Sequence, residues 1–293
     1  MKFLVFGSLN IDLIFSVDHI VAPGETINSD ALERSAGGKG ANQATALAKA
    51  GMEVYMAGKI GTDGEFILGL LESYGVRTGH VLRWGGATGQ AIIQVDKGGQ
   101  NSIILYEGGN GALMNGEAAP IMSAFGPGDM VLLQNEIPLT AELMRTAAAR
   151  GITVCLNPSP FDQRIGGLPL ELADLLFVNE IEAEALTGCS GSAGPASILE
   201  ELVFRFPRAE IILTAGRGGA YYAHGDLRAR EDSVDVPVVD TIGAGDTFTG
   251  FFLAARQRGC DVAEALRLGC KAASITVSRR GAMASMPFAG EVF

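Results

Sequence analysis

The sequence predicts an α/β fold in which a mainly parallel central sheet lies between two layers of helices, with a small β-sheet beside it. Apolar runs recur from residue 129 onward, and helix-like stretches such as 140–150 separate them. This alternation is typical of parallel strands whose connections cover both faces of a sheet. The runs are 130–133, 152–156, 175–178 and 211–213. A hairpin pattern within the first 110 residues indicates the separate small sheet.

The small sheet is predicted from two segments, near 10–30 and near 88–108. Runs at 91–95 and 102–106 flank a Gly-Gly turn, which is the pattern of a β-hairpin. Together with residues 13–17 they predict a small antiparallel sheet that forms a lid over the main body. A sheet of this size has an apolar face that needs cover, from the main body or from a second subunit. If a second subunit provides this cover, the chain forms a homodimer through the lid, and we expect such a dimer.

Size and charge limit the classes of function. The 293 residues, 47% of them hydrophobic, suit a single α/β domain over 1–293. A net charge of −11, from 33 acidic and 22 basic residues without a basic run, argues against nucleic acid and anionic membranes as partners. An anionic substrate would need backbone amides, a few cations and a bound metal ion.

Two features predict a cytoplasmic protein. The N-terminal apolar run ends at Gly7, before a signal region develops, and no apolar run of membrane-spanning length follows. The four cysteines are too dispersed for a metal site, and we expect them to be reduced.

Polar residues follow each predicted strand of the central sheet at its carboxyl end. They lie at 134–136, 157–158, 179–180 and 214–216. Open α/β sheets bind ligands beyond these ends, so four polar strand ends predict one shared cleft. Any one of them alone is equally well explained as an ordinary loop start.

Asn10 and Asp12 follow the predicted strand 3–6, and their spacing places both side chains on one face of an extended chain. An amide beside a carboxylate suits the vicinal hydroxyls of a sugar, which both donate and accept hydrogen bonds. A turn-forming Asn and a solvated Asp are the alternative.

A glycine turn at 37–44 opens into an alanine-rich helix. A helix cap explains the glycines but gives no reason for Lys39, so we favour contacts of Lys39 and Asn42 with sugar hydroxyls. The turn is not a Walker A loop, because Gly40 stands where that motif has Ser or Thr. No G-x-G-x-x-G follows a strand, which argues against a nicotinamide enzyme.

Two further strand ends predict nucleotide contacts. The carboxylates of 179–182, including Glu182, open a predicted helix at 183–186 and can hold Mg²⁺ through water beside a nucleotide phosphate. Complementing the helix dipole is an equally good explanation. The glycines of 214–219 permit close approach of a nucleotide, although a plain turn explains them too.

Residues 240–250 carry the strongest chemical signal. Gly243 and Gly245 form a tight turn that opens into a helix with one apolar face. Backbone amides and the helix dipole at such a turn attract a phosphoryl group. Asp246 then fits best as the base that accepts the proton of an attacking hydroxyl, while the amides of Ala244, Gly245 and Asp246 hold the phosphoryl oxygens. A capped helix start is the alternative.

With these motifs, the chain resembles the PfkB family of carbohydrate kinases. The resemblance covers nearly the whole chain in the expected order, and the two glycine blocks match the two signatures of that family. The matching segments are 7–12, 23–26, 37–44, 156–158, 179–182 and 240–250.

The resemblance implies a three-layer α/β/α core with a β lid, ATP and Mg²⁺ as cofactors, K⁺ as an activator, and conversion of D-ribose to D-ribose 5-phosphate. It implies that Asp246 is the base at an anion hole formed by Gly243, Ala244 and Gly245. The implied sugar-binding residues are Asn10, Asp12, Gly38, Lys39, Asn42, Glu136 and Asp246. The implied nucleotide-binding residues are Asn179, Glu182, Thr214, Gly216, Gly219 and Gly245. The implied K⁺ positions are Asp240, Ile242, Thr276, Arg279, Gly281 and Ser285.

Three residues depart from that family. Cys270 stands where close relatives often have a histidine near the adenine, while Gln90 and Tyr106 replace an apolar residue and a histidine of the lid. Fructokinase, deoxyribose kinase and nucleoside kinase activities are therefore the alternatives within the family. A non-catalytic sugar-binding sensor is the alternative of another class.

Overall fold

The computed structural model describes residues 1–189 and 194–293, and within them the strands form two sheets. In chain order the strands are β1 (Phe3–Phe6), β2 (Asn10–Ser16), β3 (Ala31–Gly37), β4 (Val54–Ile60), β5 (Arg77–Arg83), β6 (Gly89–Val95), β7 (Asn101–Tyr106), β8 (Met130–Gln134), β9 (Thr153–Asn157), β10 (Leu175–Asn179), β11 (Glu210–Thr214), β12 (Ala220–His224) and β13 (Leu227–Glu231). The helices are α1 (Lys39–Lys49), α2 (Glu65–Ser73), α3 (Gly108–Gly111), α4 (Ala118–Met122), α5 (Thr140–Ala149), α6 (Glu180–Thr187), α7 (Gly194–Arg205), α8 (Ala244–Gln257), α9 (Val262–Val277) and α10 (Ala289–Val292).

The larger sheet has the strand order β13-β12-β11-β10-β9-β8-β1-β4-β5. Every pairing from β11 to β5 is parallel, and only the two pairings of β12 are antiparallel. Phe3 and Val5 face one core cluster, shared with α1, α2, α8 and α9, while Leu4 and Phe6 face a second one, shared with α4, α5 and α7. The parallel strands are continuous apolar runs because helices cover both faces. The predicted three-layer α/β fold with a mainly parallel sheet is confirmed.

The smaller sheet has the order β3-β2-β6-β7, and β2, β6 and β7 correspond to the three strands predicted for the lid. β2 pairs antiparallel with β3, and β6 pairs antiparallel with β7, but β2 and β6 are parallel. The prediction of an antiparallel sheet is therefore wrong at its centre. In the chain, β2 follows β1 and β6 follows β5. Because β1 and β5 run in the same direction in the main sheet, the chain leaves that sheet in the same direction at both places, and β2 and β6 are therefore parallel.

Three strands are absent from the sequence prediction. β3 has the sequence ALERSAG and exposes its first four residues, so it contains no apolar run. β4 carries Gly58 and Lys59 in its interior, and the edge strand β5 contains Arg77, His80 and Arg83. The apolar pattern of these strands is interrupted, so the sequence predicts strand 3–6 but not β4 and β5, which join β1 in the main sheet.

The other predicted elements are confirmed within about three residues at each end; the helix predicted at 183–186, for example, is α6 and spans Glu180–Thr187. No helix in residues 1–189 or 194–293 combines the length and the hydrophobicity that crossing a membrane requires.

Close packing of α1 against α8 positions the chemistry. A Cβ atom on Gly250 would lie 2.5 Å from the Cβ of Ala46, so only glycine permits this approach. Asn42 lies one turn before Ala46, and Asp246 lies one turn before Gly250. The contact between Gly250 and Ala46 therefore aligns Asn42 with Asp246 across the helix pair.

Candidate active site

The chain changes direction across the sheet between β1 and β8. After β1 it proceeds to β4 and β5, and from β8 it proceeds the other way to β9, β10 and β11. Ligands of open α/β sheets bind beyond the carboxyl ends of the strands at such a switch point. Ser8 follows β1, Glu136 follows β8, and the Ser8 hydroxyl donates a hydrogen bond to the Glu136 carboxylate.

Asp246 lies in the first turn of α8 and is 7% exposed. Asn42 Nδ2 donates to Asp246 Oδ2 at 3.0 Å, and Gln43 Nε2 donates to Oδ1 at 2.9 Å. Two amide donors stabilise an ionised carboxylate and fix its plane. Each carboxylate oxygen keeps a second lone pair, so the group can still accept a proton.

The turn before Asp246 presents backbone amides at the start of the helix. Gly243 caps α8 with φ +76°, a conformation that favours glycine. The amide of Ala244 donates to the Thr241 carbonyl at 3.3 Å, whereas no acceptor in 1–189 or 194–293 engages the amides of Gly245 and Asp246. Two amides, rather than the predicted three, are thus open to an anion.

A cavity of about 440 Å³ lies beside this turn. It brings together eight of the predicted residues, which are Lys39, Asn179, Glu182, Thr214, Gly216, Gly243, Gly245 and Asp246. Thr241, Asn157 and Ser159 line it as well. Outside its lining lie Gly219, Ala244 and the predicted sugar-binding residues Asn10, Asp12, Gly38, Asn42 and Glu136. Three of the four polar strand ends thus meet in one cleft, whereas residues 134–136 lie outside its lining.

The structure distinguishes the two glycines predicted to approach a nucleotide. Gly216 borders the cavity with φ +50°, and nothing lies within 4 Å of the place of its missing side chain. At Gly219, by contrast, a Cβ atom would lie 2.0 Å from the Glu231 carbonyl oxygen. Packing against β13 explains Gly219 without a nucleotide.

Lys39 lines the cavity at the start of α1, and its backbone amide donates to Glu136 Oε2 at 3.1 Å. Burial disfavours its charged form, but the carboxylates of Asp246, Glu136 and Glu182 outweigh this effect and raise the pKa of the ammonium group. Lys39 therefore provides a permanent positive charge where the cavity meets Asp246.

Asn10 and Asp12 lie on one face of β2, as predicted. A Cβ atom on Gly37 would lie 2.1 Å from Asp12 Oδ2, so this glycine leaves the space that the carboxylate occupies. Asn10 Oδ1 accepts a hydrogen bond of 2.7 Å from Asn110 Nδ2, and Asn110 Oδ1 accepts one of 3.0 Å from the Leu9 amide. Asn110 thereby fixes the orientation of Asn10.

Asp12 and Glu136 are two acids in one poorly solvated region. Burial, and secondly the charge of Glu136, raises the pKa of Asp12 from 3.8 to about 7. Burial also raises the pKa of Glu136, against the opposing effect of Lys39. Ionised Asp12 therefore costs stability, as expected for a carboxylate arranged for a ligand.

We expect Asp12→Asn to be more stable than the wild type at pH 8, by about 2–4 kcal/mol, and the difference to vanish toward pH 4. Folded Asp12 keeps its proton until about pH 7, whereas the unfolded chain releases it near the ordinary pKa of 3.8. The unfolding free energy of the wild type thus falls between these values, and the variant lacks this fall. Urea unfolding at both pH values measures it, with exposed Glu33→Gln on β3 as control. An equal pH dependence of Asp12→Asn and the wild type would contradict the assignment.

The six predicted K⁺ positions cluster around the start of α8 and the end of α9. Asp240 Oδ1 and Oδ2 accept hydrogen bonds of 3.0 Å from the amides of Ile242 and Gly281. Thr276 contacts the first turn of α8 through a 3.0 Å hydrogen bond between its hydroxyl and that of Thr247. The side chain of Arg279, however, points to Glu291, at 2.6 Å. A guanidinium has no acceptor atom, so Arg279 can serve as a cation ligand only through its backbone carbonyl.

Ser285 is buried and lies in the loop after α9, where its hydroxyl donates to the Ala282 carbonyl at 2.7 Å. Ala282 in turn packs where a Cβ atom of Gly243 would point, at 3.4 Å. In the chain outside 190–193, no three His, Cys, Asp or Glu side chains are grouped as metal ligands.

Glu182 and Asn179 form a capping box at the start of α6. The Glu182 amide donates to Asn179 Oδ1 at 2.9 Å, and the Asn179 amide donates to Glu182 Oε2 at 3.0 Å. The capping box therefore accounts for both residues without a metal ion or a nucleotide. The Glu182 carboxylate nevertheless borders the cavity, with Oε1 free of a protein donor among the described residues.

The three residues that depart from the family pattern, Cys270, Gln90 and Tyr106, do not line the cavity. Cys270 is 8% exposed and belongs to a core cluster. The register of the lid pairs Asp12 with Ala91, and Gln90 with Tyr106, on opposite faces of the sheet. Ala91, rather than Gln90 or Tyr106, shares the face of Asp12.

Sequence reasoning missed residues that hold the predicted ones in place, chiefly Gln43 and Asn110. Gln43 directly follows Asn42 in the glycine block, and this adjacency is the sequence feature that could have identified it. Asn110 follows the lid hairpin in a Gly-Gly-Asn-Gly segment, and nothing in the sequence links it to Asn10.

Comparison with known proteins gives consistent matches. The family model for pfkB family carbohydrate kinases matches residues 1–289. The ribokinase of Staphylococcus aureus (strain COL) is 34% identical over 300 residues, and the match covers 99% of this chain and 98% of that protein.

Solved structures match the fold over nearly its full length. The ribokinase of Cryptococcus neoformans var. grubii serotype A in complex with ADP has a TM-score of 0.87 at 34% identity, covering 99% of this chain and 98% of that one. The ribokinase of Arabidopsis thaliana complexed with ribose and ATP has a TM-score of 0.89 at 31% identity, covering 99% and 97%.

Proposed function

The chain belongs to the pfkB family of carbohydrate kinases, and on this premise we propose that it transfers the γ-phosphoryl group of ATP to the 5-hydroxyl of D-ribose. The observation that carries the proposal is the position of Asp246. Its carboxylate is held by two amides, next to a helix N-terminus with two open backbone amides and beside a cavity of about 440 Å³.

Each group then has a defined task. Asp246 accepts the proton of the sugar hydroxyl, whose oxygen forms a bond to the γ-phosphorus while the bond to the β,γ-bridging oxygen breaks and ADP leaves. The amides of Gly245 and Asp246 and the ammonium of Lys39 face the negative charge of the transferring group. Because the proton is lost late in a loose transition state, the base does not have to be strong.

Ribose is the substrate that the sugar side supports best. The ribokinase from Arabidopsis, similar over nearly the full length, was solved with ribose and ATP. Asn10, Asp12 and Glu136 offer an amide and two carboxylates to several hydroxyls. Asn42 Oδ1 is buried without a partner among the described residues, and it would accept a hydrogen bond from the sugar. A nucleoside kinase would need aromatic stacking next to Asp12, where Ala91 lies instead.

The donor set also fits the proposed ions. Glu182 would hold Mg²⁺ through water beside the phosphates, since Mg²⁺ is usually bound by few carboxylates and several waters. When bound, Mg²⁺ neutralises phosphate charge in a protein with net charge −11. Asp240 and the carbonyl groups around Gly281 and Thr276 would hold K⁺ and stabilise the turn at Gly243.

The identity of the product tests the proposal. The protein is incubated with ATP, Mg²⁺, K⁺ and D-ribose, and the product is analysed by ³¹P and ¹H NMR. Coupling of phosphorus to the protons on C5 is expected. Phosphate on another carbon, or ATP hydrolysis without a sugar phosphate, would refute it.

We further propose that the lid pairs with a second copy of this chain. β7 is an edge strand, and Ile103, Ile104, Leu105 and Tyr106 are each more than half exposed. Four consecutive exposed apolar residues on a sheet edge favour association.

We expect the wild type to sediment as a dimer, at twice 30.5 kDa, and Ile104→Lys to sediment as a monomer at micromolar concentration. A lysine on the edge strand adds a charge that cannot be buried without cost. Analytical ultracentrifugation measures this, with Phe204→Lys as the control because Phe204 is 81% exposed on α7, outside the lid. A monomeric wild type, or an unchanged Ile104→Lys dimer, would contradict the lid interface.

A further inference from the structure

A chain of buried amide side chains leads to Asp246 from the interior. Gln43 Nε2 donates both to Asp246 Oδ1 at 2.9 Å and to Asn157 Oδ1 at 3.0 Å. Gln43 Oε1 accepts a hydrogen bond of 2.6 Å from Gln134 Nε2. Gln43 and Gln134 are both 0% exposed. These three amides connect the ends of β8 and β9 with the first turn of α1.

A backbone carbonyl fixes the direction of every bond in this chain. Asn157 Nδ2 donates to the Phe177 carbonyl at 3.0 Å, and a carbonyl can only accept. Asn157 must therefore present Oδ1 to Gln43, so Gln43 must present its NH₂ group in return. The same NH₂ group reaches Asp246, so the network places a donor against the carboxylate and leaves Gln43 no alternative orientation.

Gln43 and Asn42 differ in one respect that separates their tasks. Asn42 also donates to Asp246, but its Oδ1 is buried with no partner among the described residues, so it has capacity for a ligand. Every polar atom of Gln43 is already bonded within the protein. Both donors of Gln43 are used, and because its side chain is 0% exposed, substrate does not reach the remaining lone pair of Oε1.

We propose that Gln43 is the positioning residue of Asp246, and that Gln134 and Asn157 act through it by fixing its amide. The inference rests on the proposed role of Asp246 as the base. A carboxylate held by Asn42 alone could rotate about its Cβ–Cγ bond and turn its accepting lone pair away from the sugar hydroxyl. Gln43 prevents this rotation, so it contributes to turnover without contributing to sugar or nucleotide binding.

Replacement of Gln43 by methionine tests the proposal, because methionine keeps the length of the side chain and removes its donors. We expect kcat to fall roughly 10-fold or more, with the Kd for D-ribose and the KM for ATP changed by less than about 3-fold. The matched control is Thr45→Val on the same helix. Thr45 is buried and donates only to the Ala41 carbonyl, away from Asp246. Both variants are purified from a host without ribose kinase activity of its own.

A double-mutant cycle separates positioning from a general structural effect. In an Asp246→Ala background nothing remains for Gln43 to orient, so Gln43→Met should change the residual kcat by less than about 2-fold. If Gln43→Met does not fold, Gln134→Met is measured in the same cycle. It removes the donor to Gln43 Oε1 and should show the same pattern with a smaller loss.

The outcomes distinguish the two proposals. Equal slowing by Gln43→Met in the wild-type and Asp246→Ala backgrounds would refute the positioning role alone. An unchanged kcat of Gln43→Met, or a loss confined to KM, would also refute it. A wild-type rate for Asp246→Ala would refute the role of Asp246 as the base, and the positioning role with it.

Discussion

Asp246→Asn is expected to lower kcat by roughly 10² or more while the Kd for D-ribose stays nearly the same. Asparagine keeps the shape of the side chain but cannot accept the hydroxyl proton. Sugar binding is retained because Asn10, Asp12 and Glu136 are untouched, and the Asn42 amide can turn its oxygen toward the new NH₂ group. The fold is retained because α1 and α8 pack through Gly250. Steady-state ADP release gives kcat, and isothermal titration gives the Kd.

A matched control tests whether the loss of kcat is specific to the carboxylate of Asp246. Asp240→Asn also removes a carboxylate close to the turn, but one whose oxygens are bonded to the amides of Ile242 and Gly281. It should alter the response to K⁺ and cause a smaller loss of kcat at saturating K⁺. Near-normal turnover of Asp246→Asn would show that the hydroxyl proton leaves by another route.

Lys39→Met is expected to lower kcat/KM for ATP by roughly 10²–10³. Lys39 is the positive charge that lines the cavity between Asp246 and Glu182, and the neighbouring carboxylates raise its pKa. Without it, the transferring phosphoryl group meets Asp246, Glu136 and Glu182 with no compensating charge from this side chain. The measurement is steady-state kinetics over a range of ATP concentrations.

Lys97→Met serves as the control for loss of a lysine. Lys97 lies in the lid turn with its side chain 70% exposed and pairs with Asp18 at the surface. Its replacement should leave kcat/KM within about 2-fold. A comparable loss in both variants would contradict a specific role for Lys39. A loss in Lys39→Met restricted to the KM for ribose would contradict its role toward the phosphoryl group and favour the sugar contact predicted from the sequence.

The central sheet could be predicted from sequence because its strands are covered on both faces. Such strands are uninterrupted apolar runs, as in 130–133, and the pattern is readable without knowledge of their partners. β3, β4 and β5 escaped prediction because their pattern is interrupted by charged residues and glycine. The parallel pairing of β2 with β6 escaped because it depends on the direction of β1 and β5, two strands distant in sequence.

The candidate site likewise contains some residues that could be predicted from the sequence and some that could not. Asp246, Lys39 and Asn42 could be identified because each lies in a glycine turn, where its residue type is conspicuous. Gln43 and Asn110 act by supporting other side chains, and their partners Asp246 and Asn10 are 203 and 100 residues away in the chain. Such contacts follow from the packing of α1 on α8 and of the lid on the main body, which local sequence does not encode.

The most direct test of the whole account is sugar-dependent release of ADP by the purified protein, measured over D-ribose, 2-deoxyribose, fructose and nucleosides, with and without K⁺. We predict that D-ribose gives the highest kcat/KM and that K⁺ increases it. A higher kcat/KM for another sugar or for a nucleoside would contradict the assignment of ribose. Tight binding of ribose with no ADP release, in the presence of Mg²⁺ and K⁺, would contradict catalysis itself and indicate a sugar sensor.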